Sequence, residues 1–276
     1  MKVLLTGANG QLGRCFQDIV PNEWQLIAAD HDVLDITNTE HVESFVKQYQ
    51  PDVIVNAAAY TAVDKAESEA VIARKINAQG PYNLAVAANK NNARFYHIST
   101  DYVFDGEKTK PYLTTDQTNP LGVYGKTKLQ GEQLCLKVNP NVTIIRTAWV
   151  FSQYGNNFVK TMLRLAKERS ELKIVNDQIG CPTYAGDLAY CIIQLIKQNN
   201  IPGIYHYCGD EVMSWFDFAK LIISKAYELN MIPKLPKLSA LSSYEYPALV
   251  KRPAYSVLDK KISVTIIIYQ VNWIIR

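Results

Sequence analysis

The chain of 276 residues lacks several features that would fix its class at once. No uninterrupted apolar run approaches the roughly 20 residues that a membrane-spanning helix needs, so no span is expected. No Cys-x-x-Cys pair occurs, and the five cysteines, Cys15, Cys135, Cys181, Cys191 and Cys208, are odd in number and scattered. Free, mostly buried thiols in a reducing compartment are the expectation. The four histidines, His31, His41, His97 and His206, form no pair three or four residues apart, so no zinc site can be read from them. Clustered basic residues are missing too: the net charge is +3 and spread along the chain, which gives no support to nucleic-acid binding. Nor does the first segment show a basic stretch followed by an apolar one, and the expected location is the cytoplasm.

What is present is an ordinary globular composition, 48% apolar and 20% charged, enough for a substantial core. The length fits one large α/β domain or a main domain with a smaller lobe. In the first half, short apolar runs alternate with helical periodicity. Strands are expected at residues 3–5, 25–29, 52–56, 94–99 and 142–147, with helices at 11–20, 39–49, 70–89 and 121–138. The strand cores show little alternation, as expected of strands covered on both faces. Strand–helix–strand order implies a parallel sheet with right-handed crossovers. Beyond residue 150 the pattern predicts helices at 157–168, 184–198 and 215–229, and strands at 172–175 and 203–207. Prolines at 233, 236, 247 and 253 then break regular structure.

Gly7-Ala8-Asn9-Gly10-Gln11-Leu12-Gly13 follows the first strand and opens the first helix. In such a turn Gly7 permits the tight bend, Gly10 the close approach of a pyrophosphate, and Gly13 close helix–strand packing. Phosphates would sit at the helix N-terminus, where free N–H groups and the dipole favour anions. Asp30 ends the second strand. A carboxylate there accepts from ribose hydroxyls and repels a 2′-phosphate, which favours NADH; Arg14 nearby offsets that repulsion, so NADPH or NADH is expected. Asn56-Ala57-Ala58-Ala59-Tyr60 closes the third strand, and its small residues either leave room for a ligand or serve tight helix–sheet packing.

Tyr124 and Lys128 lie four apart on a predicted helix, hence on one face. An ammonium beside a phenol favours the phenolate and tunes the tyrosine for proton transfer to a carbonyl as hydride arrives. Alone the pair is no signal, since a chain with 17 tyrosines meets one by chance. Its weight comes from its place after the glycine turn and after a strand ending Ser99-Thr100-Asp101, whose hydroxyls can bond a reacting carbonyl. Trp149, at the end of the next strand, either walls a sugar ring or packs in the core.

Taken together these segments resemble the dTDP-4-dehydrorhamnose reductases of the extended short-chain dehydrogenase/reductase superfamily. The resemblance rests on the glycine turn, residues 56–67 (NAAAYTAVDKAE), 97–106 (HISTDYVFDG), 119–132 (NPLGVYGKTKLQGE), 146–151 (RTAWVF), 155–158 (GNNF), 177–187 (DQIGCPTYAGD) and 252–259 (RPAYSVLD). It implies reduction of the 4-keto group of dTDP-4-dehydro-L-rhamnose to dTDP-L-rhamnose. It implies Tyr124 as proton donor, Lys128 as the group orienting cofactor and tyrosine, and Thr100 as the hydrogen-bond donor to the keto oxygen. Asp101 and Trp149 would contact the sugar nucleotide. Cofactor contacts would fall on Gly10, Gln11, Leu12, Asp30, Asp35, Ile36, Ala58, Ala59 and Tyr60, with Asp35 and Ile36 approaching the adenine. The partners implied are a dTDP-sugar substrate, no nucleic acid and no membrane, compatibly with a homodimer.

The expected architecture is α/β: a Rossmann-type, doubly wound parallel sheet with a smaller C-terminal substrate-binding lobe. Residues 1–150 would form the dinucleotide-binding domain, with elements from about 180–207 returning to it, and residues 151–276 mainly the substrate-binding lobe. Two departures from the family pattern stand out. Some members carry a glutamate of a magnesium site where this chain has Cys15, so no metal is carried over. After Lys260, residues 262–269 are apolar and strand-like where a polar helix is usual, and only Trp273 matches the familiar ending. The rival readings are another nucleotide-sugar reductase, an epimerase or dehydratase of the same fold, or a non-catalytic regulatory subunit that binds NAD(P). Thr100-Asp101-Tyr102 lacks the Asp-Glu pair usual in dehydratases, and intact Thr100, Tyr124 and Lys128 count against a regulatory subunit.

Overall fold

The computed structural model describes residues 1–198, 202–246 and 249–260. The strand-like reading of residues 262–269, and Trp273, lie outside the described residues. The chain runs β1 (Lys2–Thr6), α1 (Gln11–Ile19), β2 (Gln25–Ala29), α2 (Thr39–Tyr49) and β3 (Val53–Asn56). Short helices α3 (Val63–Ala66) and α4 (Ala70–Arg74) lead through a π-helical turn, Lys75–Gln79, into α5 (Gly80–Lys90). Next come β4 (Arg94–Thr100), a 3-10 turn at Asp101–Val103, α6 (Val123–Val138), β5 (Thr143–Thr147) and β6 (Val150–Phe151). The remainder comprises α7 (Phe158–Glu168), β7 (Glu171–Val175), β8 (Ile179–Gly180), β9 (Thr183–Tyr184), α8 (Ala185–Lys197), β10 (Gly203–His206), β11 (Met213–Ser214), α9 (Trp215–Glu228) and β12 (Lys237–Leu241).

Six strands pair in parallel in the order β10-β5-β4-β3-β1-β2. The chain winds from β1 to β2 on one side and then crosses to β3 on the other, so the strand order reverses between β1 and β3. Ligands of open α/β sheets bind at such a switch point, beyond the carboxyl ends of the strands. Register brings those ends level: Thr6 pairs with Asn56, Asn56 with His97, and Thr100 with Thr147.

The uniform strands have a physical basis. Every residue of Val-Ile-Val-Asn in β3 and Thr-Ile-Ile-Arg-Thr in β5 is buried, because helices cover both faces. On one face Val3, Val55 and Ile145 pack with Phe16 of α1 and Leu188 and Ile192 of α8. On the other, Leu4, Ile54, Phe95 and Ile144 pack with Val46 of α2 and Leu84 of α5. A smaller lobe has its own core, in which Met162 of α7, Leu172 and Ile174 of β7 and Phe218 and Ile222 of α9 meet. Among the described residues no helix is long and apolar enough to cross a membrane.

The short elements α3, β6, β8, β9 and β11 are not expected from the sequence, and two larger differences have a physical reason. The helix expected over 70–89 is helical throughout but not uniform, because Lys75–Gln79 widens into a π turn. The insertion carries Asn77 inward, where its side-chain oxygen accepts from Tyr60 N at 2.8 Å and its amide donates to Tyr60 O at 3.0 Å and Thr127 Oγ1 at 3.2 Å. Such bulges recur at functional sites. The proline-broken stretch after α9 also holds a strand, β12, parallel to β7. Pro236 stands just before it, where a missing N–H costs the ladder nothing.

Candidate active site

The glycine turn follows from its contacts. Gly7 sits at φ +66°, and a Cβ there would lie 2.6 Å from Ala58 N. A Cβ on Gly13 would lie 2.2 Å from Gly7 O, so α1 can begin this close to β1 only without one. Gly10 caps α1 through its backbone; no side chain caps the helix and its first turn holds no acidic residue. The N–H groups of the first turn are thus left for a ligand, and the positive end of the helix dipole faces the switch point. This arrangement fits a dinucleotide pyrophosphate.

Gly10, Gln11 and Leu12 line a cavity of about 560 Å³ that also takes in Ala59, Thr100, Asp101, Tyr124, Lys128 and Trp149. Nine of the residues singled out from the sequence therefore surround one volume. The Gln11 side chain has protein partners of its own: its Oε1 accepts from Asn157 Nδ2 at 2.9 Å and from Ser152 Oγ at 3.1 Å. That clasp ties the glycine turn to the loop ahead of α7, whose Gly155 and Asn156 also line the cavity.

The remaining cofactor candidates lie outside this lining. Asp30 sits beyond the end of β2, beside the turn, where its Oδ2 accepts from Asn9 Nδ2 at 2.7 Å. Arg14 is not its partner: the guanidinium lies over the Tyr154 ring, 5.6 Å from its centroid. Asp35 Oδ1 accepts from the Thr37 N–H and hydroxyl, and the Ile36 side chain is buried against Gly80. Ala58 N donates to Asn56 Oδ1 at 3.1 Å, and the Tyr60 hydroxyl donates to Glu69 Oε2 at 2.5 Å.

Around Tyr124 the geometry is compact. Its phenol shares the cavity lining with the Thr100 side chain, and its ring meets Tyr102 edge-on at 5.4 Å. Thr100 Oγ1 in turn accepts from Tyr102 N at 3.2 Å and donates to Asp101 Oδ1 at 3.0 Å. Burial pushes the Tyr124 phenol up to about 12; the Thr100 contact pulls it down and the Asp101 charge adds to the rise. Burial likewise raises Asp101 to about 6, against hydrogen bonds from Ser256 and Thr100.

Lys128 lines the same cavity, with its head group tied to a backbone carbonyl. Its ammonium donates to Ile98 O at 2.6 Å, and burial lowers it to about 8, with Glu132 one turn along α6 offsetting part of that. The phenol is raised, not lowered, in this environment: burial outweighs the Thr100 contact, and one of the Lys128 N–H groups goes to a carbonyl within β4. Beneath Lys128, Glu132 takes both Nε (3.0 Å) and NH2 (2.6 Å) of Arg146 and the Ser99 hydroxyl, all buried.

Trp149 is both packed and cavity-lining. It stacks on Trp215 with centroids 3.5 Å apart and planes 7° from parallel, and it holds φ +48°, a conformation few non-glycine residues adopt. Sequence reasoning missed Asn77, Asn157 and the Glu132–Arg146 pair. For Glu132 a signal existed, since it stands four residues past Lys128 in the same helical motif.

Comparison with known proteins agrees with this geometry. The family model described as the RmlD substrate binding domain matches residues 1–274. The dTDP-4-dehydrorhamnose reductase of Aggregatibacter actinomycetemcomitans is 46% identical over 265 residues, 94% of this chain and 90% of that protein. The crystal structure of the Clostridium acetobutylicum dTDP-4-dehydrorhamnose reductase superposes with a TM-score of 0.90 at 45% identity, covering 96% of this chain and 92% of that one. The Bacillus anthracis dTDP-4-dehydrorhamnose reductase, solved in complex with NADP, also gives 0.90, at 42% identity over 95% of this chain and 91% of that one. With its parallel sheet, its uncapped glycine turn and its match along almost the whole length, this chain belongs to the dTDP-4-dehydrorhamnose reductase family of oxidoreductases.

Proposed function

We propose that the protein reduces the 4-keto group of dTDP-4-dehydro-L-rhamnose, giving dTDP-L-rhamnose, with NADPH or NADH as reductant. The observation that carries this reading is the meeting of the Tyr124 phenol and the Thr100 hydroxyl in the same cavity as the uncapped N-terminus of α1. A nicotinamide dinucleotide, when bound, supplies the hydride that C4 of the sugar receives. Gly7, Gly10, Gln11, Leu12 and Gly13 would hold its pyrophosphate, Asp30 its adenosine ribose, and Asp35, Ile36, Ala58, Ala59 and Tyr60 would border it. In support, the NADP complex belongs to a relative of 42% identity.

Tyr124 donates its proton to the O4 oxygen as negative charge develops there. A phenol raised to about 12 is fully protonated at neutral pH, the state a proton donor needs. The Thr100 hydroxyl, turning its one proton from Asp101 Oδ1, donates a hydrogen bond to the same oxygen and fixes it beside the phenol. Lys128 keeps two of its three N–H donors beyond the one given to Ile98, and these orient the ribose next to the nicotinamide and fix the charge near Tyr124. Asp101 and Trp149 contact and wall the sugar nucleotide. We assign residues 1–150, with the elements of about 180–207, to the dinucleotide domain and residues 151–276 mainly to the substrate lobe.

The test mixes the protein with NADPH or NADH and dTDP-4-dehydro-L-rhamnose and follows loss of nicotinamide absorbance, with the product identified by mass and NMR. Formation of dTDP-L-rhamnose with either cofactor is expected. Tight dinucleotide binding with no turnover of either would mark a regulatory subunit, and conversion without net oxidation of the cofactor would mark an epimerase or a dehydratase.

A further inference from the structure

Cys181 and Cys208 come from distant parts of the chain, just after β8 and just after β10, yet share one small volume. Both are buried among Val103, Phe104, Ala148, Val257 and Leu258, where the Cys208 thiol donates to Leu258 O at 3.8 Å. Their backbones are tied at the same point. Gly209 N donates to Thr183 Oγ1 at 3.2 Å, and that hydroxyl donates to the Cys181 carbonyl at 3.3 Å. The other three cysteines sit apart from this cluster, in the packing of α1, α6 and α8 on the sheet. There burial pushes their thiols up, Cys15 to about 11 and Cys135 to about 12.

Cys181 and Cys208 also line a second cavity of about 480 Å³, together with Pro111, Asp210, Asp259 and Lys260. Lys260 pairs with Asp210, and its ammonium reaches the Cys208 carbonyl at 3.5 Å. The neighbouring Cys181 thiol and the Lys260 charge hold the Cys208 thiol below its usual value in spite of burial, while Cys181 is held far above it. The Lys260 ammonium at the Cys208 backbone favours the thiolate on that side of the pair, which makes Cys208 the attacking and Cys181 the resolving cysteine.

We propose that Cys181 and Cys208 form a modification site, a dithiol that closes to an intramolecular disulfide by exchange with a low-molecular-weight disulfide entering this second cavity. The Cys208 thiolate attacks one sulfur of R–S–S–R, forming Cys208–S–S–R and expelling RS⁻, which takes a proton from water. Cys181 then gives its proton to water, attacks Cys208 Sγ and expels the second RS⁻, which is protonated in turn. Two protein thiols lose two electrons and two protons, and one external disulfide is reduced to two thiols.

Closure fixes the two sulfurs about 2.05 Å apart and so constrains the turn between β8 and β9. That turn holds the main cavity's wall, since Thr183 N donates to Trp149 O at 3.1 Å. The oxidised protein therefore turns over more slowly than the reduced one, and reversibly so.

The experiment treats the reduced full-length protein with 2-hydroxyethyl disulfide, quenches with N-ethylmaleimide and records intact mass and a peptide map. We expect three alkylated cysteines in place of the five free ones, a peptide joining Cys181 to Cys208, and full reversal by dithiothreitol. Cys181→Ser should trap a mixed disulfide on Cys208, whereas Cys208→Ser should leave Cys181 unmodified. Five alkylated cysteines after treatment, a link through any other cysteine, or an unmodified Cys208 in Cys181→Ser would overturn the site. These readouts are chemical and stand whatever the substrate proves to be. A several-fold loss of turnover, restored on reduction, is expected in parallel; unchanged turnover of the linked protein would overturn the coupling to the main cavity.

Discussion

Lys128 Nζ donates to the carbonyl oxygen of Ile98 at 2.6 Å, so the ammonium is anchored to the backbone of β4 rather than to the Tyr124 phenol. Burial has lowered it to about 8, and its sign gives a pH dependence. Below about 8 the group is charged and can hold a ribose hydroxyl; above it the charge is lost. The groups facing it are Glu132 and Cys135 on α6 and His97 on β4, and His97 is held neutral by burial and by the Lys128 charge. The reductase kcat/KM should fall as pH rises through about 8, and Lys128→Met should be slower and lack that limb. A wild-type profile flat from neutrality to well above pH 8 would remove the lysine charge from the mechanism.

The Glu132–Arg146 pair under that lysine predicts a large effect on stability. Both side chains are buried, and Arg146 also lies over the Phe104 ring at 5.2 Å. Glu132→Ala strands a guanidinium in the core and should cost about 3–5 kcal/mol in urea unfolding. Replacing both, Glu132→Leu with Arg146→Met, should recover most of that loss. A double variant less stable than the single one would show that the pair is favourable in itself.

Histidine burial predicts behaviour in acid. His206 is buried, and desolvation, helped by the Arg146 charge, lowers it from about 6.5 to about 4. Between those values the unfolded chain binds a proton that the folded chain refuses, so stability falls as pH drops through the unfolded value, by roughly 3 kcal/mol over the whole window. Asp101, raised to about 6, acts with the opposite sign over pH 6 to 4. The difference between wild type and His206→Gln isolates the histidine: the variant should lose stability less steeply from pH 6.5 to 4 in thermal melts. Parallel curves would contradict the burial argument.

Much of this was legible in the sequence because the physics is local. A parallel strand covered on both faces needs an apolar centre, and residues 3–5 of β1, 53–55 of β3 and 144–145 of β5 read that way. The glycine turn is legible because no residue with a Cβ can replace Gly7 or Gly13. Less legible were features set by tertiary contact. The π turn at Lys75–Gln79 depends on where Tyr60 and Thr127 stand. β12 owes its pairing to β7, more than 60 residues earlier. The position of the Lys128 head group depends on the Ile98 carbonyl, which helical spacing alone does not locate. Asp35 and Ile36, drawn in by resemblance, turn their side chains to Thr37 and Gly80.

The measurement that bears most directly on the proposed chemistry is made on Tyr124→Phe, with dinucleotide affinity and single-turnover reduction recorded on the same preparation. Loss of one hydroxyl should leave the glycine turn and dinucleotide binding as they are and slow reduction by about 10²–10⁴-fold. Reduction within a few-fold of wild type, with binding intact, would contradict the assignment of the phenol as proton donor.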